Sequence, residues 1–290
     1  MSHNEHHHSS RSRARSAVSY IFSFLLSLVL LAGTALVVVQ MGCFSQSNYF
    51  KILDDSYYDS VLSELENHAV DYTLPTGIDS SVVDDVFLYH EVQRDVDGYI
   101  TGAFNRFEYT PDMSGIETRL SENVTAFFNS NGVTVDEQTS EIIEKYIEEI
   151  KEVYVSEVKM PMIDLLMRAR STFTKVFTVA MVAVCVLALI LGVLCVKLHR
   201  WAHRGLRYIA YAFGGTSVMS FAAPFALYIS RFYERIQLAP DYFYRFGVAF
   251  IKNILSLCMF AALVWLLLTL IMIFIIAIMR RQKKSHRSNS

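Results

Sequence analysis

Cysteine is scarce in this chain, and its placement excludes a disulfide-stapled fold. Of the four cysteines in 290 residues, Cys185, Cys195 and Cys258 lie inside long apolar runs. Only Cys43 borders the large polar segment that follows the first run. A disulfide within that segment would need two cysteines. We therefore expect the polar segment to be stabilised by its hydrophobic core alone.

The chain also lacks residues with a recognisable catalytic or metal-binding spacing. His68 falls on an apolar helical stripe, which predicts a hydrogen-bonded core histidine instead of a metal ligand. Neither Asp84–Asp85 nor His90–Glu91 matches the oxygen spacing of a calcium loop. His199 and His203 stand four residues apart, but membrane di-iron enzymes carry several such pairs. We predict no catalytic residue, no cofactor, no metal site and no nucleic-acid partner.

Basic residues are few between Cys43 and Ser171, where 25 Asp or Glu face 9 Lys or Arg, a net charge of −16. Three short segments beyond the apolar runs are basic instead. By the positive-inside rule, this asymmetry predicts a multi-pass protein of the cell (plasma) membrane with cytoplasmic N- and C-termini and the acidic segment outside. The basic residues are Arg11, Arg13 and Arg15, then Lys197, Arg200, Arg204 and Arg207, then Arg280, Arg281, Lys283, Lys284 and Arg287.

Four apolar runs are long enough to span a membrane. The first is uncharged for 25 residues, about 37 Å as a helix. It is longer than the apolar part of a cleavable signal, so we expect a signal anchor in preference to a cleaved signal or a lipidated Cys43. The predicted order is a disordered basic, His-rich cytoplasmic arm (1–16), TM1 (17–41), an extracytoplasmic acidic domain (42–172), TM2 (173–198), a cytoplasmic loop (199–206), TM3 (207–230), an outer loop (231–245), TM4 (246–279) and a basic cytoplasmic tail (280–290).

The third apolar run is unusually rich in small residues, among them Gly214, Gly215 and Ser220. Small faces let helix backbones approach closely in lipid, which predicts tight packing of this helix. Pro224 removes a backbone donor and predicts a kink. A conduction path or a gating hinge is the alternative. Candidate mating residues are Ser23 and Ser27 in the first run and Ala188 and Gly192 in the second.

The acidic segment has helical periodicity throughout. Capping boxes predict helix starts at Ser56, Ser114 and Thr134, and Asn131–Gly132 predicts a helix end. We therefore predict an all-α protein, with an α-helical extracytoplasmic bundle inserted between spans 1 and 2 of a four-helix transmembrane bundle. The predicted core stripes are Tyr58, Val61, Leu62, Leu65, Ala69 and Tyr72; Val92, Val96, Ile100 and Phe104; Ile116, Leu120, Val124 and Phe127; and Ile143, Tyr146, Ile147, Ile150, Tyr154 and Val158.

The longest predicted helix of this segment carries a dense acidic face. Glu141, Glu144, Glu148 and Glu152 recur at three- and four-residue spacing, so they share one side of the helix. Such a face attracts cations over a distance that salt shortens. We predict a candidate interaction surface here, for a cationic peptide, an ion or a partner ectodomain; a merely solvated face is the alternative.

Four stretches of the acidic segment resemble the extracytoplasmic region of uncharacterised four-span membrane proteins of Gram-positive bacteria. They are Tyr57–Tyr72, the Leu-Pro-x-Gly turn at Leu74–Gly77, Val82–Phe87 and Val92–Ile100. The resemblance implies location and architecture but no activity. In topology alone the chain is similar to FtsX-type permease subunits, whose extracellular lobe mixes strands and helices.

Two functions of different class follow from these patterns. The first is a non-enzymatic interaction or sensing module that relays from the acidic helices into the membrane bundle, in contact with membrane lipids. The alternative is a transport-associated permease subunit, whose basic loop at Lys197, Arg200 and Arg204 docks a cytoplasmic ATPase. An enzyme is disfavoured, because active sites need convergent titratable groups that the sequence does not offer.

Overall fold

The computed structural model describes residues 3–133, 136–160, 163–199, 202–235 and 240–288. Within these ranges every regular element is helical, which confirms the all-α class. The α-helices are α1 His3–Cys43, α2 Gln46–Ile52, α3 Asp55–Thr73, α4 Tyr89–Asn105, α5 Ser114–Ser130, α6 Glu137–Val158, α7 Ile163–Lys197, α8 Ala202–Ser230 and α9 Asp241–Ser288. Short 3-10 turns span Leu74–Thr76, Ser80–Val83 and Phe232–Arg235.

The chain divides into two compact units. The apolar unit comprises Met1–Phe44, Thr172–Arg235 and Ile251–Ser290, and the acidic unit comprises Ser45–Ser171 and Ile236–Phe250. The acidic unit therefore contains a second segment that is absent from the predicted acidic domain, 42–172. The sequence analysis assigned this segment to the outer loop and TM4. Its described residues are Pro240 and the first ten residues of α9.

Four helical stretches are long and apolar enough to cross a membrane: Arg15–Cys43, Ile163–Lys197, Arg204–Arg235 and Asp241–Arg281. Their number agrees with the prediction, but several helix bounds differ. Residues 3–16, predicted to be disordered, begin α1, and α7 starts ten residues before the predicted TM2. Adding a residue to an existing helix is much easier than nucleating one, so helices run on beyond the apolar stretches that define them.

Within the apolar unit, α1 and α8 pack through small and hydroxylated residues. The hydroxyl of Ser23 donates to the carbonyl of Tyr208 (2.7 Å), and that of Thr216 donates to the carbonyl of Ser27 (3.2 Å). Ser23 and Ser27 are buried, as predicted for mating residues. The prediction for Gly192 is wrong, because a Cβ built there meets no atom within 4 Å.

The acidic unit buries the four predicted stripes in one core. Of the 20 stripe residues, 17 are buried and the other three, Leu62, Tyr72 and Phe127, pack against the core while partly exposed. Tyr49 of the short helix α2 is fully buried, and α9 contributes Tyr242 and Phe246. The ring of Tyr49 lies 5.9 Å from that of Phe246 and 5.1 Å from that of Phe104 in α4. The first turns of α9 are thus part of this core.

Two of the predicted helix starts are wrong. Asp54 caps α3 by accepting a hydrogen bond from the Tyr57 amide (3.0 Å), so Ser56 lies inside the helix. Met113 is the N-cap of α5, and Ser114 is its first helical residue. A serine or an aspartate at the N-cap can accept a hydrogen bond from an unpaired helix amide. The negative charge of the aspartate also interacts favourably with the helix dipole, and the neutral serine lacks that contribution.

The ends of α5 and α6 are defined by local backbone geometry. Gly132 has a φ of 73°, and its amide and that of Val133 close a Schellman motif on α5, which confirms the predicted end. Asp136 caps α6 by accepting from the amide of Thr139 (2.9 Å). The predicted cap Thr134 and the predicted helix breaker Pro161 lie outside the described residues.

Candidate interaction surface

The structure brings the four predicted acidic side chains together along α6. Glu141, Glu144, Glu148 and Glu152 are all exposed, while the stripe between them is buried against α3, α4 and α5. The face follows from the sequence period, since residues three and four apart are neighbours on a helix surface.

A groove lies at the C-terminal end of this acidic face. Its main cavity has a volume of about 490 Å³, and an adjoining cavity of about 390 Å³ shares five of its lining residues. Met160 and Ile163, both buried, and Met113 make the floor apolar, while Glu148 and Glu152 stand at the rim. The groove therefore combines an apolar floor with a predominantly acidic edge.

One wall of the groove is the segment between α4 and α5, residues 106–113. Arg106 leaves α4 with a φ of 62°, which turns the chain back along that helix. The ring of Tyr109 occupies the space where a side chain at Gly98 would lie, and the carbonyl oxygen of Phe107 lies 2.8 Å from a Cβ built at Gly102. Two glycines one turn apart thus let this wall lie directly on α4.

Asp95 of α4 holds the same wall in place through a hydrogen bond from Tyr109. Its side chain is fully buried and accepts hydrogen bonds from Tyr109 (2.7 Å), Tyr154 (2.6 Å) and Arg94 (2.8 Å). Burial, followed by the hydrogen bond to Asp95, raises the pKa of Tyr109 to about 12, so its phenol keeps the proton at neutral pH. The carboxylate joins α4, α6 and the wall, because a buried charge must be hydrogen-bonded by the groups around it.

The basic side chains of the groove are already paired within the protein. Lys151 contacts Glu148 (3.0 Å) and Glu117 (3.5 Å), and the carboxylate of Glu148 raises the pKa of Lys151. Lys159 contacts Asp164 (2.9 Å). The groove lining holds more carboxylates than ammonium groups, so its net charge is negative.

His68 is not the core residue that the sequence predicted. Its side chain is 45% exposed and contacts Glu157 (2.8 Å) and Glu64 (3.6 Å). Glu157 also accepts a hydrogen bond from Tyr242 of α9 (3.1 Å). The apolar stripe of α3 runs through Leu65 and Ala69, and His68 stands beside it at the edge of α6.

The small residues of α8 lie at helix contacts. A Cβ built on Gly215 would be 3.4 Å from the Ser27 side chain, and one on Gly214 would be 3.6 Å from Thr269. Ser220 is buried, and its hydroxyl has no hydrogen-bond partner among the described residues. Pro224 stands within α8, which continues to Ser230. These contacts support packing as the role of Gly214 and Gly215.

The loop between α7 and α8 is shorter than the predicted basic loop, 199–206. Lys197 is the last residue of α7, Arg204 is exposed in the first turn of α8, and Arg200 lies outside the described residues. His199 accepts from or donates to the Ser19 hydroxyl (3.0 Å), and burial, followed by the charges of Arg204 and Arg15, lowers the pKa of His199. The sequence did not single out any residue that closes this turn.

Gly205 closes it. A Cβ built there would lie 2.6 Å from the Cα of Val196 and 2.8 Å from the carbonyl oxygen of Cys195. Only glycine lets the start of α8 approach the end of α7 this closely. A lone glycine directly after a His–Arg pair was the signal that the sequence contained.

Within the described ranges, no three His, Cys, Asp or Glu side chains are grouped so that they could hold a metal ion. Comparison with family models, with curated proteins and with solved structures finds no match for this chain.

Proposed function

We propose that this protein is a non-enzymatic integral protein of the plasma membrane whose acidic unit, placed outside the cell, binds a cationic partner. The observation that carries the proposal is the groove at the end of α6. Its apolar floor at Met113, Met160 and Ile163 suits an apolar side chain, and its net negative edge suits flanking basic groups. The acidic face from Glu141 to Glu152 extends the same charge along the helix.

The partner would be a basic peptide or the basic surface of another ectodomain. Charge attracts it over a Debye length of about 8 Å in physiological salt, and the groove supplies a contact that salt does not weaken. Two helices, α7 and α9, contribute residues to both units. In this proposal they carry a change at the groove toward the apolar unit, since Ile163 at the start of α7 forms part of the groove floor.

Binding is tested on the full-length protein in mild detergent with a labelled peptide of alternating lysine and leucine. Replacing Glu141, Glu144, Glu148 and Glu152 by Gln should weaken capture about tenfold at low salt, at a few tenths of a kcal/mol per exposed charge. The matched control replaces Asp59, Glu66, Asp71 and Glu122, exposed acids of α3 and α5, by their amides. Equal losses of binding in both variants would show that only the overall negative charge attracts the peptide, and would contradict the proposal.

Location is tested separately by labelling intact cells with an impermeant thiol reagent, in a variant whose Cys43 is replaced. Ser130 is exposed at the end of α5, so a cysteine placed there should react if the acidic unit is outside. A cysteine placed at Ser285, in the basic tail, should not. The reverse pattern would overturn the topology.

The alternative, a permease subunit coupled to a cytoplasmic ATPase, requires a docking surface at the basic turn near Lys197 and Arg204. Recovery of a stoichiometric ATPase on purification in mild detergent would favour it. Loss of that ATPase on Arg204→Gln, with peptide capture unchanged, would locate the docking surface.

A further inference from the structure

The apolar unit contains a second candidate site, a cavity of about 230 Å³ between the first turns of α8 and the last apolar turns of α9. Arg207 of α8 and Arg280 of α9 both line it, together with Tyr211, Ile273 and Ile276. Ile276 is buried, whereas Tyr211 and Ile273 are about half exposed, 47% and 53%. The cavity lining therefore combines one arginine from each helix with mainly apolar side chains.

Among the described side chains, neither arginine has an acidic partner. Residues 165–233 and 242–290 contain no Asp or Glu at all. The only carboxylate of α9 is that of Asp241, about 58 Å from Arg280 along the helix. Two cations that line one cavity, with no counter-ion among the described residues, suit an anion from outside the protein.

The position of the arginines narrows the class of anion. The membrane-length stretch of α8 begins at Arg204, and that of α9 ends at Arg281. Arg207 and Arg280 therefore lie near the ends of these stretches, where the helices meet polar surroundings. Arginine binds phosphate oxygens through parallel hydrogen bonds. Basic pockets between membrane helices bind the head groups of anionic lipids. The exposed sides of Tyr211 and Ile273 would at the same time face an acyl chain.

We propose that this cavity binds one anionic phospholipid, with its phosphate held between Arg207 and Arg280 and an acyl chain against Tyr211 and Ile273. The inference rests on the membrane location proposed above and not on the partner of the acidic unit. It assigns α8 and α9 a lipid that lies between them at one membrane surface.

The test measures lipid retained by the full-length protein in mixed micelles, by native mass spectrometry, with phosphatidylglycerol and phosphatidylcholine as probes. The unsubstituted protein should retain phosphatidylglycerol preferentially. Arg207→Gln and Arg280→Gln should each lower its affinity about fivefold, as expected for one basic group near a lipid surface, and the double variant about 25-fold. Equal retention of the two lipids by the unsubstituted protein would overturn the proposal without any variant.

A matched control removes two other charges from the same helices, Arg204→Gln and Arg281→Gln. Both side chains are exposed and neither lines the cavity, so this variant should keep the preference for phosphatidylglycerol. A loss as large as that of the cavity variant would show diffuse attraction and contradict a site. If the Gln variant fails to fold, Arg207→Lys with Arg280→Lys keeps the charge and should lose only the paired hydrogen bonds, a smaller decrease.

A third arm separates the lipid from a soluble anion. Millimolar inorganic phosphate should leave the bound phosphatidylglycerol in place, because it cannot replace the acyl contacts. Complete displacement by phosphate would assign the site to a free anion and contradict the lipid. The thiol-labelling experiment remains independent, so a failed lipid site and a failed membrane topology give different results.

Discussion

Tyr154 of α6 donates a hydrogen bond from its phenol to the Oδ2 atom of Asp95 in α4 at 2.6 Å, and both side chains are fully buried. Tyr109 donates to the other oxygen of the same carboxylate. One buried charge thereby sets the register of two helices and of the groove wall. Burial of a carboxylate is tolerated here because its lone pairs are satisfied by donors.

Replacing Asp95 by Asn should lower the free energy of unfolding by about 2–4 kcal/mol, because the amide turns a donor toward donors and leaves a buried phenol unpaired. Chemical unfolding of the full-length protein followed by circular dichroism measures it. Asp71→Asn, at an exposed position of α3, is the control and should change stability by less than about 0.5 kcal/mol. A loss for Asp95→Asn no larger than the control would contradict the role of the carboxylate.

Gly98→Ala should displace the groove wall, since the added methyl group overlaps the Tyr109 ring. Overpacking of this kind costs about 1–3 kcal/mol, and the peptide affinity of the groove should fall with it. Gly192→Ala in α7, where a Cβ meets nothing within 4 Å, is the matched helical control and should be neutral or slightly stabilising. A neutral result for Gly98→Ala would show that the wall is not held in place by this contact.

Phe246→Ala should destabilise the acidic unit by about 3–5 kcal/mol through lost burial and the cavity left behind. Phe274→Ala, in the same helix, removes a ring that is 67% exposed and should leave the acidic unit unchanged. Limited proteolysis within residues 45–171 reports the stability of that unit alone. Similar protection in both variants would mean that the first turns of α9 do not contribute to the core.

The pH dependence of stability should reveal Asp97. Burial raises the pKa of this carboxyl, while the hydrogen bond from Tyr58 (2.7 Å) opposes the shift. A raised pKa in the folded state favours the neutral acid, so its contribution is complete below the unfolded pKa and is lost as pH rises through the folded value. Relative to the unsubstituted protein, Asp97→Asn should therefore gain stability over the interval in which the pH rises above about 4, the unfolded pKa of an aspartate. A relative loss over that interval has the wrong sign for this explanation.

The helical stripes could be predicted because helix periodicity is local information. Val92, Val96, Ile100 and Phe104 repeat every fourth residue, and each is buried. Such spacing fixes which side of a helix is apolar whatever the tertiary structure. The acidic face of α6 followed from the same reasoning, since its glutamates avoid the buried stripe.

The groove and the role of α9 could not be predicted, because they depend on contacts between distant segments. The sequence places Tyr242 in the outer loop and Phe246 in TM4, because aromatic residues are typical of a membrane interface as well as of a domain core. The position of Tyr109 against Gly98 depends on the path of residues 106–113, which carry no periodic pattern. The sequence analysis placed His68 in the core, but it lies one position away from the buried stripe of α3. A shift of one residue on a helix is enough to exchange burial for an exposed contact with Glu64 and Glu157.

The entry of α9 into the acidic core imposes an order on biosynthesis. A ribosome that has completed Ser171 has made the four stripes but not the aromatic residues that finish the core, which follow only after α7 and α8. At about 5–20 residues per second, the chain needs roughly 4–16 seconds more to reach Phe250. During that interval the nascent acidic unit exposes the apolar surface that Tyr242 and Phe246 later cover, so its final folding must wait until the third membrane-length helix and the first turns of the fourth have been made.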